Sequence, residues 1–304
     1  MMKIPSYLMP GDTIGIVCPA GYMAREKAEI CIQTLAQWGY RVKTGATLGG
    51  ASGTYFSGSD DERLADLQAM LDDESVKAIL CGRGGYGTSR IIDQLNFRQF
   101  KKNPKWIIGF SDITVLHSHI SRNFKIATLH APMAGAFNGD GYANQYVLSL
   151  KEALEGKKAN YSIPSHSLNI NGSVSGKLTG GNLTLIAHLL GTNSEIKTKG
   201  RILFLEDIGE QLYNIDRMFV QLKRNRKLDE LAGLIVGGFS DTKDTERPFG
   251  NSLHQLILHH VKEFGYPVCF DFPVSHEKEN YALKVGGNFQ LDVGDDVVLR
   301  EVDV

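Results

Sequence analysis

Short apolar runs alternate with amphipathic segments along the first half of the chain. The runs DTIGIVCPA, YRVKTG, VKAILC and KWIIGF are typical of strands, and segments such as AREKAEICIQTLAQWG, DDERLADLQAMLDD and DITVLHSHI have the apolar spacing of helices. Continuous apolar strands separated by helices indicate a parallel sheet that is covered on both faces. The pattern therefore predicts a doubly wound α/β domain over residues 1–150.

The pattern changes in the second half. Residues 151–172 are polar and rich in Ser, Asn, Gly and Lys, which predicts a linker with a surface hairpin. A smaller α/β domain of mixed strands is expected over residues 173–304. Its strands are RILFLE, AGLIVGG, NFQLDV and DVVLREV, and its helices include GGNLTLIAHLLG and NSLHQLILHHVKEFG.

Composition and charge narrow the classes of partner. A net charge of -1 provides no basic field for nucleic acid or for an anionic membrane, and the apolar runs are far shorter than the roughly 20 residues that cross a bilayer. The start of the chain has no pattern of a secretory leader. The four cysteines lack the paired spacing of a zinc or redox site. We expect a soluble, cytoplasmic protein with reduced, structural cysteines.

The turn GRGGYG, Gly82 to Gly87, follows the strand VKAILC and matches the GxGxxG pattern. In a dinucleotide-binding fold these glycines let backbone amides approach a pyrophosphate, but that turn normally follows the first strand of the domain. Such a turn can equally direct N–H groups at a developing oxyanion. Tight turns alone would explain one or two of the four glycines. The turn therefore predicts close approach to a ligand of one of these kinds.

Ser111 and Asp112 stand at a second junction between a strand and a helix, in IIGFSDITVLH. A serine on a sharp turn there would expose its hydroxyl above the sheet, beside the N–H of the next residue, as a nucleophile requires. The alternative is an ordinary N-cap for the following helix, and the local sequence by itself favours the cap.

A serine nucleophile needs a base and an orienting acid. Glu206, Asp207 and Glu210 follow the strand RILFLE, and spacing does not choose among them. Of the nine histidines, His276 in PVSHEKEN and His130 in ATLHAPM lie in loops after strands. The helical histidines are more typical of packing or surface positions.

Several long segments in the same order resemble the LD-carboxypeptidases, the serine peptidase family that includes muramoyltetrapeptide carboxypeptidases and microcin C immunity peptidases. The resemblance covers nearly the whole chain. It is carried by PGDTIGIVCPAG, YFSGSDDERLADL, AILCGRGGYGTSRII, IIGFSDITVLH, LHAPM, GGNLTLIAHLLGT, ILFLEDIGEQLYNIDRMFVQL and PVSH.

The resemblance implies a catalytic triad of Ser111, Glu206 and His276, with an oxyanion hole built from the backbone amides of Gly85 and Asp112. It also implies a first domain like the class I glutamine amidotransferases, a site in a groove between the two domains, and a homodimer. No metal or cofactor is implied. The expected reaction releases the terminal D-alanine from a murein tetrapeptide.

The residues that bind the substrate are less well defined by the sequence. Arg83, Asn182 and Lys284 could each contact its carboxylate, and further candidates are Gly84, Tyr86 and His130. Family members usually carry HGxxN at the histidine, whereas here Glu277 follows His276, with Asn280 at the Asn position. This difference bears on the specificity pocket more than on the chemistry.

Three other functions are compatible with the sequence. One is an immunity-type peptidase that cleaves an aminoacyl nucleotide or a related acyl amide. Another is a nucleotide-binding oxidoreductase that uses GRGGYG. The third is a binding protein in which the altered loop at His276 misplaces the base.

Overall fold

The computed structural model describes residues 2–50, 52–139 and 144–303, which form two compact units. Unit 1 comprises Met1–Lys157 and Tyr281–Lys284, and unit 2 comprises Lys158–Asn280 and Val285–Val304. The strands are β1 Thr13–Val17, β2 Arg41–Thr44, β3 Val76–Cys81, β4 Trp106–Gly109, β5 Thr128–His130, β6 Asn160–Pro164, β7 Gly172–Asn182, β8 Arg201–Ile208, β9 Gly233–Ser240, β10 Val268–Cys269, β11 Leu283–Val285, β12 Asn288–Val293 and β13 Asp296–Glu301.

The α-helices are α1 Glu29–Gln37, α2 Asp60–Asp72, α3 Thr88–Ile91, α4 Arg98–Lys102, α5 Thr114–Phe124, α6 Gln145–Leu154, α7 Leu183–His188, α8 Leu212–Arg224 and α9 Leu253–Val261. Short 3₁₀ helices occupy Arg25–Ala28, Ile92–Gln94, Ser111–Ile113, Ala134–Phe137 and Lys262–Phe264. Among the residues described, no helix combines the length and the apolar character needed to traverse a lipid bilayer. All four cysteines are free and buried, which confirms the prediction of unpaired, structural thiols.

Unit 1 is built on a six-stranded sheet with the order β11-β5-β4-β3-β1-β2. Strands β1 to β5 pair in parallel. After β1 the chain adds β2 on one side and then β3 on the other, so the strand order reverses between β1 and β3. Ligands of open α/β sheets bind beside this point of reversal, at the carboxyl ends of the strands. The GRGGYG turn follows β3 there.

Helix α2 shows how local sequence fixes an element and also departs from the usual pattern. Ser59 and Glu62 form a reciprocal capping box at its start. The buried residues of α2 are Arg63, Leu67, Met70 and Leu71, whose spacing defines one stripe along the helix. An arginine therefore occupies a position on the core-facing stripe where an apolar residue is usual.

Unit 2 contains a seven-stranded mixed sheet with the order β10-β9-β8-β7-β12-β13-β6. Strands β10, β9, β8 and β7 are parallel, and β12, β13 and β6 continue the sheet in antiparallel pairs. The predicted α/β fold with a parallel first sheet and a second, mixed sheet is thus confirmed. Strand β6 lies within residues 151–172, the segment predicted as a linker, and the first part of that segment continues α6.

The segment Tyr281–Lys284 returns to unit 1, which the sequence pattern did not predict. It leads into β11, which pairs beside β5 at one edge of the first sheet. Ser149 of α6 fixes this segment, because its hydroxyl accepts a hydrogen bond from the Ala282 N–H at 2.9 Å and donates one to the Tyr146 carbonyl at 2.6 Å.

The variant Ser149→Ala leaves the buried Ala282 N–H without this acceptor. We expect a loss of about 1–3 kcal/mol in the free energy of unfolding, measured by urea denaturation. Ser118→Ala is the matched control, because Ser118 is equally buried and its hydroxyl has no hydrogen-bond partner among the described residues. Equal losses in the two variants would show that the hydroxyl of Ser149 does not hold the returning segment.

Candidate active site

The turn after β3 is fastened to the loop after β1. The Gly21 N–H donates to the Gly84 carbonyl at 3.0 Å, and the Gly82 N–H donates to the Val17 carbonyl at 2.8 Å. Because the strands are parallel, both loops lie at the same edge of the sheet as the turn after β4, which carries Ser111. Three loops of unit 1 therefore meet at the carboxyl ends of its central strands.

Gly84 lies against Ser111. A Cβ atom added at Gly84 would be 2.8 Å from the Ser111 Cβ, 3.1 Å from its Oγ and 3.4 Å from the Asp112 nitrogen. Only a residue without a side chain permits this approach. The structure thus assigns at least one glycine of the GRGGYG turn to contact with the serine, and it gives the dinucleotide-binding interpretation of the turn no support.

The peptide between Gly84 and Gly85 has a defined direction. Its carbonyl is bound by the Gly21 N–H, and in a trans peptide the N–H of Gly85 points the opposite way. Gly85 itself has φ 103°, a conformation that favours glycine. The Gly85 amide is therefore available on the face of the turn that points away from Gly21, as an oxyanion donor would be.

Ser111 adopts φ 62°, in the left-handed region, which is uncommon for a residue with a side chain. Left-handed strain at a junction between strand and helix is the geometry of a nucleophile that is lifted above a sheet. The alternative interpretation as an N-cap is wrong. Neither the 3₁₀ turn Ser111–Ile113 nor α5 has a side-chain cap hydrogen bond.

Two buried side chains hold this strained turn in place. The Asp112 carboxylate accepts a hydrogen bond from the Thr88 N–H at 2.8 Å, which connects the turn to the start of α3. Burial raises the pKa of the Asp112 carboxyl. His117 Nε2 donates to the Gly109 carbonyl at 2.8 Å, and burial lowers the pKa of this imidazole to about 4, so that it stays neutral. The helical position of His117 by itself indicates packing, and its role in the turn is visible only in the structure.

Arg63 is a second residue that the sequence analysis missed. Its side chain is fully buried, and its Nη1 donates to the carbonyls of Pro19 at 2.5 Å and Gly87 at 3.0 Å. It also pairs with Asp60 and lies over the ring of Phe56. One cation thereby joins the loop after β1 to the end of the glycine-rich turn. The signal in the sequence that could have indicated this buried role is the position of Arg63 on the apolar stripe of α2.

In unit 2, Glu206 and His276 form a close pair. Glu206 is the sixth residue of β8 and is fully buried, and its Oε2 lies 2.5 Å from Nδ1 of His276. A carboxylate bound to Nδ1 fixes the orientation of the ring and leaves Nε2 as the nitrogen that could take a proton from a substrate or a nucleophile.

The electrostatics of the pair suit a base. Burial raises the pKa of Glu206, and the hydrogen bond with His276 and the charge of its imidazolium oppose that effect. Burial by itself would lower the pKa of His276, but the hydrogen bond to Glu206 and the negative charge of its carboxylate outweigh it and hold that pKa above its ordinary value. The carboxylate therefore makes His276 a stronger base than a histidine that is merely buried.

Two glycines of β9 let the loop of His276 approach the sheet. A Cβ at Gly237 would be 2.2 Å from the Val274 carbonyl oxygen, and one at Gly238 would be 2.6 Å from the Cβ of Ser275. The Gly238 N–H donates to the Val274 carbonyl at 2.9 Å. The pairing of β8 with β9 changes register between Leu205 and Asp207, which is the position of Glu206. The VGG sequence thus creates the space in which the loop and the carboxylate meet.

Asp207 performs a different task from its neighbour. Its carboxylate accepts hydrogen bonds from the Asn182 side chain at 2.7 Å, and from the Thr184 N–H at 2.9 Å and hydroxyl at 2.8 Å, at the start of α7. Asn182 also caps α7 by accepting from the Leu185 N–H at 3.1 Å. The geometry therefore places Glu206, and not Asp207, at the histidine.

The residues predicted to bind substrate differ in whether their side chains are exposed or buried. Arg83 and Tyr86 are exposed on the glycine-rich turn, where the Arg83 guanidinium donates to the Tyr22 carbonyl at 2.8 Å. His130 is fully buried, and its ring packs near those of Phe110 and His117.

Lys284 and Asn182 are also engaged within the protein. The Lys284 ammonium lies 3.1 Å from the Tyr7 hydroxyl and near the ring of Trp106, at the opposite end of β4 from Ser111. Asn182 is buried and holds Asp207. The structure does not bring Lys284 to the serine, so we correct that expectation and leave it out of the candidate site.

Comparison with known proteins gives a consistent result over the whole chain. The LD-carboxypeptidase N-terminal domain matches residues 14–131, and the LD-carboxypeptidase C-terminal domain matches residues 175–291. A probable murein peptide carboxypeptidase from Bacillus subtilis (strain 168) is 36% identical over 303 residues, which are 99% of this chain and 95% of that relative.

Two solved structures have the same fold. The crystal structure of muramoyltetrapeptide carboxypeptidase from Oxalobacter formigenes has a TM-score of 0.87 and 28% identity, covering 96% of this chain and 99% of that one. The microcin C7 self immunity protein in complex with aspartyl sulfamoyl adenosine has a TM-score of 0.87, covering 100% of this chain and 99% of that one. Its identity is 21%, so this likeness concerns the fold alone.

The left-handed backbone of Ser111 predicts an unusual order of stability. Ser111→Gly relieves the strain and Ser111→Ala retains it, so we expect the glycine variant to be more stable than the alanine variant by about 1 kcal/mol. Urea denaturation measures the difference.

Ser121 of α5 is the control for this comparison, because a helical backbone favours alanine over glycine by about 1 kcal/mol and the order should be reversed. An alanine variant at position 111 that equals or exceeds the glycine variant would contradict the strained geometry.

Proposed function

Because the chain belongs to the LD-carboxypeptidase family of serine peptidases, we propose that it releases the terminal D-alanine from murein tetrapeptides through an acyl-enzyme on Ser111. The observation that carries the proposal is the strained serine at the carboxyl edge of the first sheet, next to glycines with directed amides. The carboxylate-bound histidine of unit 2 supplies the matching base. The names of the relatives from Bacillus subtilis and Oxalobacter formigenes support the choice of substrate.

In the proposed mechanism, Nε2 of His276 takes the proton of the Ser111 hydroxyl as Oγ attacks the scissile carbonyl carbon. Glu206 orients the imidazole and stabilises the imidazolium that forms. The Gly85 and Asp112 amides donate to the oxyanion of the tetrahedral intermediate, a contribution of about 3 kcal/mol for each donor. When the C–N bond breaks, His276 returns the proton to the nitrogen, and D-alanine leaves.

The second half of the reaction reuses the same groups. His276 removes a proton from water, which attacks the acyl carbon on Ser111, and collapse of the second intermediate releases the shortened peptide and restores the hydroxyl. No step calls for a metal or a cofactor. The exposed Arg83 on the glycine-rich turn is our candidate for the contact with the terminal carboxylate of the substrate, with Gly84 and Tyr86 beside it.

Two further properties are proposed, the first from the composition and cysteines of the chain and the second from the family resemblance. We propose that the protein acts in the cytoplasm, where its free cysteines would stay reduced. We also propose that it is a homodimer, and light scattering coupled to size-exclusion chromatography measures this directly.

The central test is release of D-alanine from a murein tetrapeptide. We expect the variants Ser111→Ala and His276→Gln to lose activity by about 10⁴-fold or more, as the loss of a nucleophile or a base does. Glu206→Gln should lose less than either. The control is His260→Gln, because His260 also pairs with a carboxylate, that of Asp216 at 2.8 Å, and has no part in the proposed chemistry.

The outcome separates the candidate functions. Cleavage of an aminoacyl sulfamoyl adenosine without cleavage of the tetrapeptide would favour an immunity-type peptidase. Saturable tetrapeptide binding without turnover would indicate a binding protein. Tetrapeptide cleavage that survives Ser111→Ala would contradict the proposed nucleophile.

The charge of Glu206 predicts a shift in pH dependence. The acid limb of kcat/KM follows the pKa of His276, which Glu206 holds above its ordinary value against the effect of burial. In Glu206→Gln burial prevails, so the limb should move to lower pH although the maximal rate falls. His260→Gln should leave the limb where it is. An acid limb that stays in place in Glu206→Gln would show that Glu206 does not act on the base.

A further inference from the structure

A cluster of possible metal ligands lies in unit 2, outside the groups used by the proposed mechanism. His166, His254 and Asp271 each offer one ligand atom, and these atoms lie within 4.8 Å of one another. Nε2 of His254 is 2.8 Å from Asp271 Oδ1, and Nε2 of His166 is 3.9 Å from Asp271 Oδ2. Two imidazoles and one carboxylate are a ligand set that zinc and related divalent ions prefer.

Three separate elements bring the cluster together at the carboxyl end of β10. Asp271 is the second residue after β10, and His254 lies in the first turn of α9. His166 precedes the residues that run antiparallel to β10, where Ile170 and Val268 exchange two backbone hydrogen bonds. Strand β9 separates β10 from β8, which carries Glu206, so the cluster is a distinct site.

The two histidine rings of the cluster pack on a buried aromatic residue. The rings of His166 and His254 are stacked, with centroids 4.8 Å apart, and each packs against the fully buried ring of Phe270. The Phe270 N–H is fixed by the Asn169 side chain at 2.9 Å. Asp271 itself has φ 58°, a left-handed conformation, and its carboxylate oxygens lie 2.8 Å from Nε2 of His254 and 3.9 Å from Nε2 of His166. The two ring planes are nearly parallel, at 16° to one another, so one ring has to rotate out of the stack before both Nε2 atoms can face a single ion.

We propose that His166, His254 and Asp271 bind one divalent transition-metal ion of the zinc class, with water completing the coordination. Ligands of a tetrahedral ion at 2.0–2.2 Å are roughly 3.4 Å apart, so the ligand atoms, which lie within 4.8 Å of one another, need to move by little more than an ångström while one histidine ring rotates. The ligand side chains are partly exposed, which gives the ion a path from solvent. The ion would fasten the loop before β7, α9 and the two-residue edge strand β10 to one another.

The tautomer of His166 provides a specific signature. Its Nδ1 accepts a hydrogen bond from the Leu168 N–H at 3.1 Å, which in a neutral ring leaves the proton on Nε2. A metal bound at Nε2 moves that proton to Nδ1, and the Leu168 N–H then loses its acceptor. The amide resonance of Leu168 should therefore shift when the ion binds.

The test uses the full chain, stripped of metal with a chelator and titrated with Zn²⁺ by calorimetry. We expect one saturable site per chain and a rise in Tm in the presence of the ion. His254→Gln and Asp271→Asn should each weaken Zn²⁺ binding by at least tenfold. Asparagine tolerates the left-handed backbone, so Asp271→Asn removes the charge and keeps the conformation.

His260→Gln is the matched control, because His260 and Asp216 form a pair with the same 2.8 Å distance and belong to no cluster of three ligands in the described part of the chain. It should bind Zn²⁺ as tightly as the wild type. The proposal is overturned if the wild type shows no saturable binding, or if binding survives both cluster substitutions. It is also overturned if Glu206→Gln abolishes Zn²⁺ binding, because the ion would then lie at the catalytic pair.

Discussion

The hydrogen bond between Glu206 and His276 is the interaction on which the proposed chemistry of this protein depends. A carboxylate without solvent contact is costly unless it is hydrogen-bonded and its charge is balanced. Glu206 satisfies that requirement through the imidazole, and the same contact raises the basicity of the ring. The surrounding features of unit 2 serve this contact: the register shift between β8 and β9, the two glycines that admit the loop, and the separate hydrogen bonds that occupy Asp207.

In unit 1 the corresponding constraint is the left-handed backbone of Ser111, which neighbouring groups have to hold in place. A serine in a left-handed conformation persists only where its neighbours leave no alternative. Here Gly84 fills the space beside it, Asp112 connects its turn to α3, and His117 holds the carbonyl of Gly109. Arg63 connects the loop after β1 to the glycine-rich turn through hydrogen bonds to the carbonyls of Pro19 and Gly87. The proposed nucleophile is a small, half-buried group, whereas the buried polar framework that positions it is extensive.

Much of this could be predicted from the sequence, and the limits have physical causes. The alternation of apolar strands and amphipathic helices identified the doubly wound sheet, and the loops after its strands contained Ser111 and the glycine-rich turn. Local pattern could not decide between a cap and a nucleophile at Ser111, because that decision rests on a backbone angle. Nor could it assign Lys284, whose ammonium is turned to Tyr7 and Trp106 by a segment that returns from distant sequence. The role of Arg63 could not be predicted because it depends on carbonyls that lie 44 and 24 residues away in the sequence.

The returning segment also constrains how the chain can be synthesised and folded. Strand β11, which borders the first sheet, is encoded after more than a hundred residues that belong to unit 2. During translation strands β1 to β5 leave the ribosome long before β11 does. Until β11 is synthesised, the edge of β5 has no strand paired with it. Completion of the first sheet is thus coupled to nearly complete synthesis of the chain, so a ribosome that stalls within unit 2 would release a first unit that lacks its border strand.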